Sequence, residues 1–296
     1  MKIYEFSPFY NENRLANLKL TEGESWIDEI HICEANMSFR CSPKDYNFSL
    51  DHSRAVHHRF DAEKEFRGPL RWGPSRHFPY FRNRDMARNN ESTQRNYVHR
   101  VIEPEDDDVV ILSDLDEILD STMAEYFVDM VKKHGVFTVK LHHTMFFLNL
   151  YSQNWHELWS GAPPDYGYRT FVMSGKYFRS MKTSSDRLRR LGEWGRLNDK
   201  IICADEFGGF HHSWLGDANA AIQKMSAYAH SVSDHGTNTR DPITGKLSID
   251  NIRNLVEGRK SLFDGHDLVI RGLDEQPLLK SIMNDLASFQ DLILKP

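Results

Sequence analysis

The segment Val109–Ile118 reads VVILSDLDEI, four apolar residues that run into three carboxylates, Asp114, Asp116 and Glu117. Like charges this close repel one another unless a cation joins them. Hard divalent ions take oxygen ligands, and substrate phosphates commonly complete their coordination shell. A continuous apolar run marks a strand covered on both faces, and in open α/β sheets ligands gather beyond the carboxyl ends of the strands. If the chain stays extended past Leu112, Asp114 and Asp116 point to the same side and offer one site to Mn2+ or Mg2+ carrying a diphosphate. The competing reading is a solvated acidic turn, because Asp-x-Asp is common by chance.

A second group lies in GFHHSW, Gly209–Trp214. On a strand His211 and His212 face opposite ways, so one of them serves a given site. A neutral imidazole is a good ligand for Mn2+-type ions. Gly208 and Gly209 before it suggest a bulge or a close approach of backbone. With 15 histidines in the chain, a histidine near a tryptophan says little alone, and a core role competes with a ligand role.

The elements that must hold these groups alternate between strand and helix. MKIYEF and Ile27–Ala35 read as strands, and Asn11–Leu20 between them as a helix with Leu15 and Leu18 on one face. Arg54–Arg88 shows no period and reads as loop-rich; Asn90–Ile102 reads as a helix. After the acidic motif Ser121 can cap a helix whose stripe is Ala124, Phe127, Val128 and Val131 and which Gly135 ends. Val136–Leu150 is rich in β-formers. Lys200–Ala204 and Gly208–Trp214 look like two strands, and Asp217 and Asp250 open the last two helices. The alternation predicts an α/β layered domain with a mostly parallel sheet, a single unit over residues 1–296 with long loops.

The chain has 296 residues, 40% hydrophobic and 27% charged, with net charge -6 and a pI of about 6.2. There is no basic footprint for nucleic acid or an anionic membrane. No run approaches the ~20 apolar residues of a membrane span, and no signal-peptide pattern opens the chain. Cys33, Cys41 and Cys203 are few and odd in number, which argues for a reducing compartment. The expected location is cytoplasmic, with a peripheral place at the membrane left open.

In order along the chain, FYNENRLANLKL, IDEIHICEANMSFRCSPK, ESTQRNYV, VVILSDLDEI, GFHHSWLG and NIRNLVEGRKSLFDG resemble the blocks of glycosyltransferase family 17, whose best-known members are β-1,4-mannosyl-glycoprotein 4-β-N-acetylglucosaminyltransferases. The match runs from Phe9 to Gly265. The departures lie between blocks, in Arg54–Arg88 and Tyr151–Lys200. The resemblance implies a GT-A-type, Rossmann-like fold, a nucleotide-sugar donor, UDP-GlcNAc by analogy, and transfer with inversion to a hydroxyl of a glycan acceptor. It implies that Asp114 and Asp116 hold the cation, with His211 as a further ligand or a diphosphate contact, and that Glu117 orients its neighbours or the donor sugar. Arg95 and Asn96 would contact donor or brace the acidic site, although Arg95 can equally pair with Glu91 one turn back. Asn11, Glu12, Glu34 and Asn36 follow the first two strands, where base and ribose would bind. Lys260, beside Arg259, could reach the diphosphate. Inversion needs a general base. Asp205 and Glu206 are the first choice by position; Glu157, Asp165 and Asp217 stay open, and Trp155, Trp159 and Tyr166 could stack on sugars.

Other classes compete. A haloacid-dehalogenase-type phosphatase would carry Thr or Val where Ile118 stands, and would not place its motif over a hundred residues into the chain. A nucleotidylyltransferase would show a glycine-rich loop near its start, and SPFYNENR has no glycine. A non-catalytic nucleotide-sugar-binding protein is opposed by the intact carboxylate pair.

Overall fold

The computed structural model describes residues 1–66, 79–152, 168–193, 196–198, 200–227, 239–241, 244, 246–262, 265–276 and 278–295. Trp155, Glu157, Trp159, Asp165 and Tyr166 lie outside them. In chain order the elements are β1 (Ile3–Phe9), α1 (Asn13–Gly23), β2 (Glu29–Ala35), β3 (Ala55–Phe60), α2 (Ala62–Glu65), α3 (Pro79–Arg95), α4 (Val98–Val101), β4 (Val109–Leu112), β5 (Glu117–Leu119), α5 (Ala124–His134), β6 (Val136–Met145), β7 (Leu150–Tyr151), β8 (Phe171–Ser174), α6 (Gly175–Ser180), α7 (Ser185–Glu193), β9 (Ile202–Ser213), α8 (Ala218–Ala227), α9 (Ile249–Glu257), β10 (Val269–Ile270) and α10 (Lys280–Asn284).

The strands form one mixed sheet in the order β10-β7-β6-β8-β4-β1-β2-β3, with β9 pairing β6 and β5 pairing β9. Most paired positions are parallel: β3, β2, β1 and β4 run together, as do β6 and β9. β8 runs antiparallel between β4 and β6. The α/β class and the largely parallel sheet flanked by helices agree with the sequence reading. β4 explains itself. Val109 and Ile111 pack on α1 and α5 beside Leu15, Leu20, Phe127 and Val131. Val110 and Leu112 face the other layer, with Val98, Phe178 and Leu188. Two apolar layers on one four-residue strand require the unbroken run Val-Val-Ile-Leu.

β1 is less simple. Ile3 and Phe9 lie in the layer beneath α1, and the two-residue period puts Glu5 and Ser7 on that same face. Both are buried, so they need polar partners there. The chain runs β1 to β2 to β3 on one side of β1, then returns to β4 on the other. The turnover point between β1 and β4 is where such sheets leave a crevice.

Three local expectations change. The stretch read as loop-rich holds β3, whose His57 and His58 hide its alternation. The helix read over 90–102 begins at Pro79 and is broken after Arg95, α4 following as a separate turn. The two strand-like pieces around Gly208 are one strand, β9. Asp217 accepts from the Ala220 N–H at 3.0 Å as an N-cap should. Asp120, not Ser121, caps the turn before α5, and Ser248, not Asp250, caps α9. Among the described residues no helix is long and apolar enough to cross a membrane.

Candidate active site at the carboxyl end of β4

The acidic loop is built on a buried lysine. Lys19 of α1, 1% exposed, pairs with Glu5 at 2.6 Å. Its ammonium also donates to Ser113 Oγ (2.9 Å), the Asp114 carbonyl (3.3 Å) and the Glu117 carbonyl (2.6 Å). Ser113 Oγ donates to Glu5 at 2.7 Å and meets Ser7 Oγ at 3.1 Å. The polar face of β1 thus serves as a template for the backbone that leaves β4. That backbone turns at once: the Glu117 N–H donates to the Asp114 carbonyl, and the Asp114 N–H returns to Glu117 Oε2, each at 3.0 Å.

The turn separates the two aspartates. The extended backbone expected for them does not occur. Asp114 faces the helices α3 and α7. Arg95 grips it at both oxygens (3.1 and 2.8 Å), and Arg189 Nη2 adds a third contact at 2.8 Å. Burial alone would raise the Asp114 carboxyl, but Arg189 and Arg95 outweigh it and hold it below its ordinary value. Asp116 has other partners, although Asp114 stays near enough for the two charges to repel. Its Oδ2 takes the Lys224 ammonium at 2.8 Å, and its Oδ1 lies 3.6 Å from His211 Nε2. Burial again pushes upward, and Lys224 with His211 brings the Asp116 carboxyl down to about 2.

Glu117 opens β5 and is fully buried. Arg189 meets it through two contacts, 2.6 and 2.7 Å, and the Thr170 hydroxyl donates to it at 2.9 Å. Its carboxylate is taken up by these protein partners. β5 pairs with β9 so that Glu117 stands opposite His211. Gly209 makes this possible: with φ at 153°, a Cβ there would lie 2.1 Å from the Ile118 carbonyl oxygen. The two histidines divide as the strand period requires. His211 looks to Asp116, and burial lowers its basicity, so the ring is a neutral donor near pH 7. His212 is wholly buried against Phe210, meets Thr144 Oγ1 at 2.8 Å, and is pushed by burial down to about 3. It is a core histidine.

Of the other expected residues, Arg95 braces the acidic loop. It pairs with Glu91 at 3.0 Å and with Asp186 at 3.1 Å as well as with Asp114. Asn96 accepts from the Asp186 N–H at 3.3 Å and so ties α7 to α3. Glu12 reaches the cluster, its Oε1 3.6 Å from Lys224, while its Oε2 accepts from the Tyr10 and Asn11 N–H groups. Asn11 itself sits exposed beside it. Glu34 does not offer itself to a ligand: fully buried, it accepts from Lys44 (2.6 Å), the Asn47 and Phe48 N–H groups (2.6 and 3.1 Å) and His57 (3.1 Å). It pins the 44–48 segment. Asn36 holds the Ala62 N–H at 2.8 Å. Lys260 pairs with Asp267 at the surface.

Asp205 and Glu206 are not at the site. Asp205 is 96% exposed and pairs with Lys140; Glu206 accepts from the Tyr126 hydroxyl at 2.8 Å. They precede His211 by six and five residues on β9, on the far side of a register shift against β6. Position in sequence misled because β9 is one long strand rather than two short ones with a turn between them. The double variant Asp205→Ala/Glu206→Ala is therefore expected to keep the rate of nucleotide release from a sugar donor within about twofold of the parent, as exposed changes remote from a site do. A hundredfold loss would restore them as base candidates.

Sequence reasoning missed Lys19, Arg189 and Lys224. Lys19 had a signal: Leu15, Lys19 and Glu22 recur on one face of α1, so a charge sits where the helix must be buried. A small pocket, open to solvent, lies at the carboxyl ends of β1 and β4, lined by Phe6, Pro8, Leu112, Arg95, Asp114, Arg169 and Arg189 among others.

A divalent cation, implied by the resemblance, meets a mixed fit. Among the described residues no group of three or more His, Cys, Asp or Glu could hold one. Asp114 is committed to two guanidiniums and does not fit as a ligand. Asp116 Oδ1 and His211 Nε2 do fit: a hard oxygen and an imidazole nitrogen 3.6 Å apart can both lie about 2.1 Å from one ion. The remaining positions would fall to phosphate oxygens and water.

No family model and no curated protein matches the chain, so the family resemblance rests on its ordered blocks. Among solved structures the chain is similar to TarS 1–349 of S. aureus, at 13% identity and TM-score 0.36 over 99% of this chain and 81% of that one. It is also similar to the galactosyltransferase LgtC in complex with donor and acceptor sugar analogs, at 12% and 0.34 over 69% and 73%. A third is mouse xyloside xylosyltransferase 1 in its apo form, at 10% and 0.30 over 66% and 73%.

Proposed function

We propose that the protein is a GT-A-type glycosyltransferase that moves a sugar from a nucleotide donor to a hydroxyl of a glycan acceptor, with UDP-GlcNAc the donor favoured by the likeness to family 17. One observation carries the reading. In the loop that follows the carboxyl end of β4, Asp116 is approached by His211 on one oxygen and by Lys224 on the other. A carboxylate, a neutral imidazole and an ammonium together suit a diphosphate and its counter-cation.

Asp116 and His211 would hold Mn2+ or Mg2+, and such an ion supplies charge neutralisation on the departing nucleoside diphosphate. Lys224 adds a mobile positive charge on the same side. Glu12 marks the rim of the site below β1. Asp114, Glu117, Arg95, Arg189 and Lys19 keep the loop in one conformation, which is the preorganisation that charge stabilisation requires.

The test is a panel of nucleotide sugars with Mn2+ or Mg2+, read out as nucleotide release. One donor is expected to turn over slowly by hydrolysis without acceptor, and faster with a suitable glycan. A donor that binds but is never turned over, with any acceptor tried, would favour the non-catalytic binding protein. Failure of every donor to bind would sink the proposal.

A further inference from the structure

We propose that Lys224 is a built-in competitor for Asp116, so that a divalent cation gains the carboxylate only when a nucleoside diphosphate takes the ammonium. This rests on the reading of the site as a nucleotide-sugar site.

Asp116 has two oxygens and two claimants. Lys224 Nζ holds Oδ2 at 2.8 Å, and an ion shared by Oδ1 and His211 would sit on the other side of the same carboxylate. Two cations at one carboxylate repel. Lys224 has somewhere to go. Its ammonium lies 5.6 Å from the centre of the Trp214 ring and 3.6 Å from Glu12, so leaving Asp116 does not strand the charge. The backbone beneath it is fixed: Asp217 caps α8, and Ala221 and Met225 are buried against Trp214. The moving part is therefore the four-carbon stem, 20% exposed, which carries a compact ammonium suited to phosphate oxygens. A diphosphate brings acceptors for that ammonium and ligands for the ion at once. Cation and diphosphate then strengthen each other's binding by the same factor, as linkage demands.

Free Mn2+ can be followed by electron paramagnetic resonance in titrations of the protein alone and with UDP, GDP, ADP, CDP or dTDP, corrected for Mn2+ bound by nucleotide in protein-free controls. The parent is expected to bind Mn2+ weakly alone and about tenfold or more tightly with the matching nucleotide. Lys224→Met should bind Mn2+ alone about tenfold more tightly than the parent, and the nucleotide effect should shrink. Lys224→Gln gives the same comparison if the methionine variant folds poorly, and Lys224→Arg, which keeps the charge, should stay near the parent. Asp116→Asn should remove the binding in every background. If Lys224→Met and Lys224→Gln match the parent in Mn2+ affinity while a nucleotide still strengthens it, the competition is disproved and the site reading stands. If no nucleotide alters Mn2+ binding and Asp116→Asn leaves it unchanged, the site reading falls and the inference with it.

Discussion

Asp116→Asn is expected to cut donor turnover by about 10²–10³ while lowering the free energy of unfolding by only about 1 kcal/mol. The carboxylate is edged by solvent, 13% exposed, and the Lys224 it would leave behind keeps Glu12 and the face of Trp214. Asp114→Asn should behave otherwise. That carboxylate is the meeting point of Arg95 and Arg189, and losing its charge weakens three charge-assisted bonds, at a cost of about 2–3 kcal/mol or more. Two aspartates two positions apart are thus expected to separate into a binding position and a bracing position. Nucleotide release measured beside urea unfolding would show it. An Asp116→Asn protein that keeps more than a tenth of the parent rate would remove Asp116 from the chemistry.

That separation could not be read from the sequence, and the reason is physical. Val109–Leu112 announces a strand because two apolar layers act on it locally. Gly208 and Gly209 announce a close approach because a side chain would meet Val139 and Phe127 at the first and β5 at the second. Asp217 announces a cap because the partner N–H is three residues away. The direction of Asp114 and Asp116 depends instead on Lys19 and Glu5, about a hundred residues upstream, which bend the backbone between them. Asp205 and Glu206 failed for a related reason: only the full length of β9 tells how far they stand from His211. β3 was lost in the 54–88 stretch because His57 and His58 look polar, and each finds a buried partner only across the sheet, Glu34 for one and His31 for the other. The ordered blocks pointed to this acidic loop; long-range ion pairs set which partners each of its members takes.

Arg189→Met is expected to cost about 3–5 kcal/mol at pH 7, a large share of the roughly 5–15 kcal/mol that keeps a domain folded. Arg189 is 7% exposed and bonds Glu117, which is 0% exposed, through two contacts, and Asp114 through a third. Without it Glu117 keeps the Thr170 hydroxyl but no cation, and a buried carboxylate must then pay for its charge or take up a proton. The sign of the pH dependence follows. In the parent, burial would raise Glu117, but Arg189 brings it well below its ordinary 4.5. The stability this adds is full above about pH 4.5 and drains away as pH falls through the lower folded value. In the variant burial is opposed only by the Thr170 hydroxyl, the Asp114 N–H and His211, so the folded value rises and the variant gains stability relative to the parent as pH falls. Urea unfolding at pH 7 and pH 5 should therefore show a defect that narrows in acid, and adding Glu117→Gln should recover part of it at pH 7. A defect below about 1 kcal/mol at pH 7, or one equally large at pH 5, would mean that the Arg189–Glu117 pair does not carry the loop.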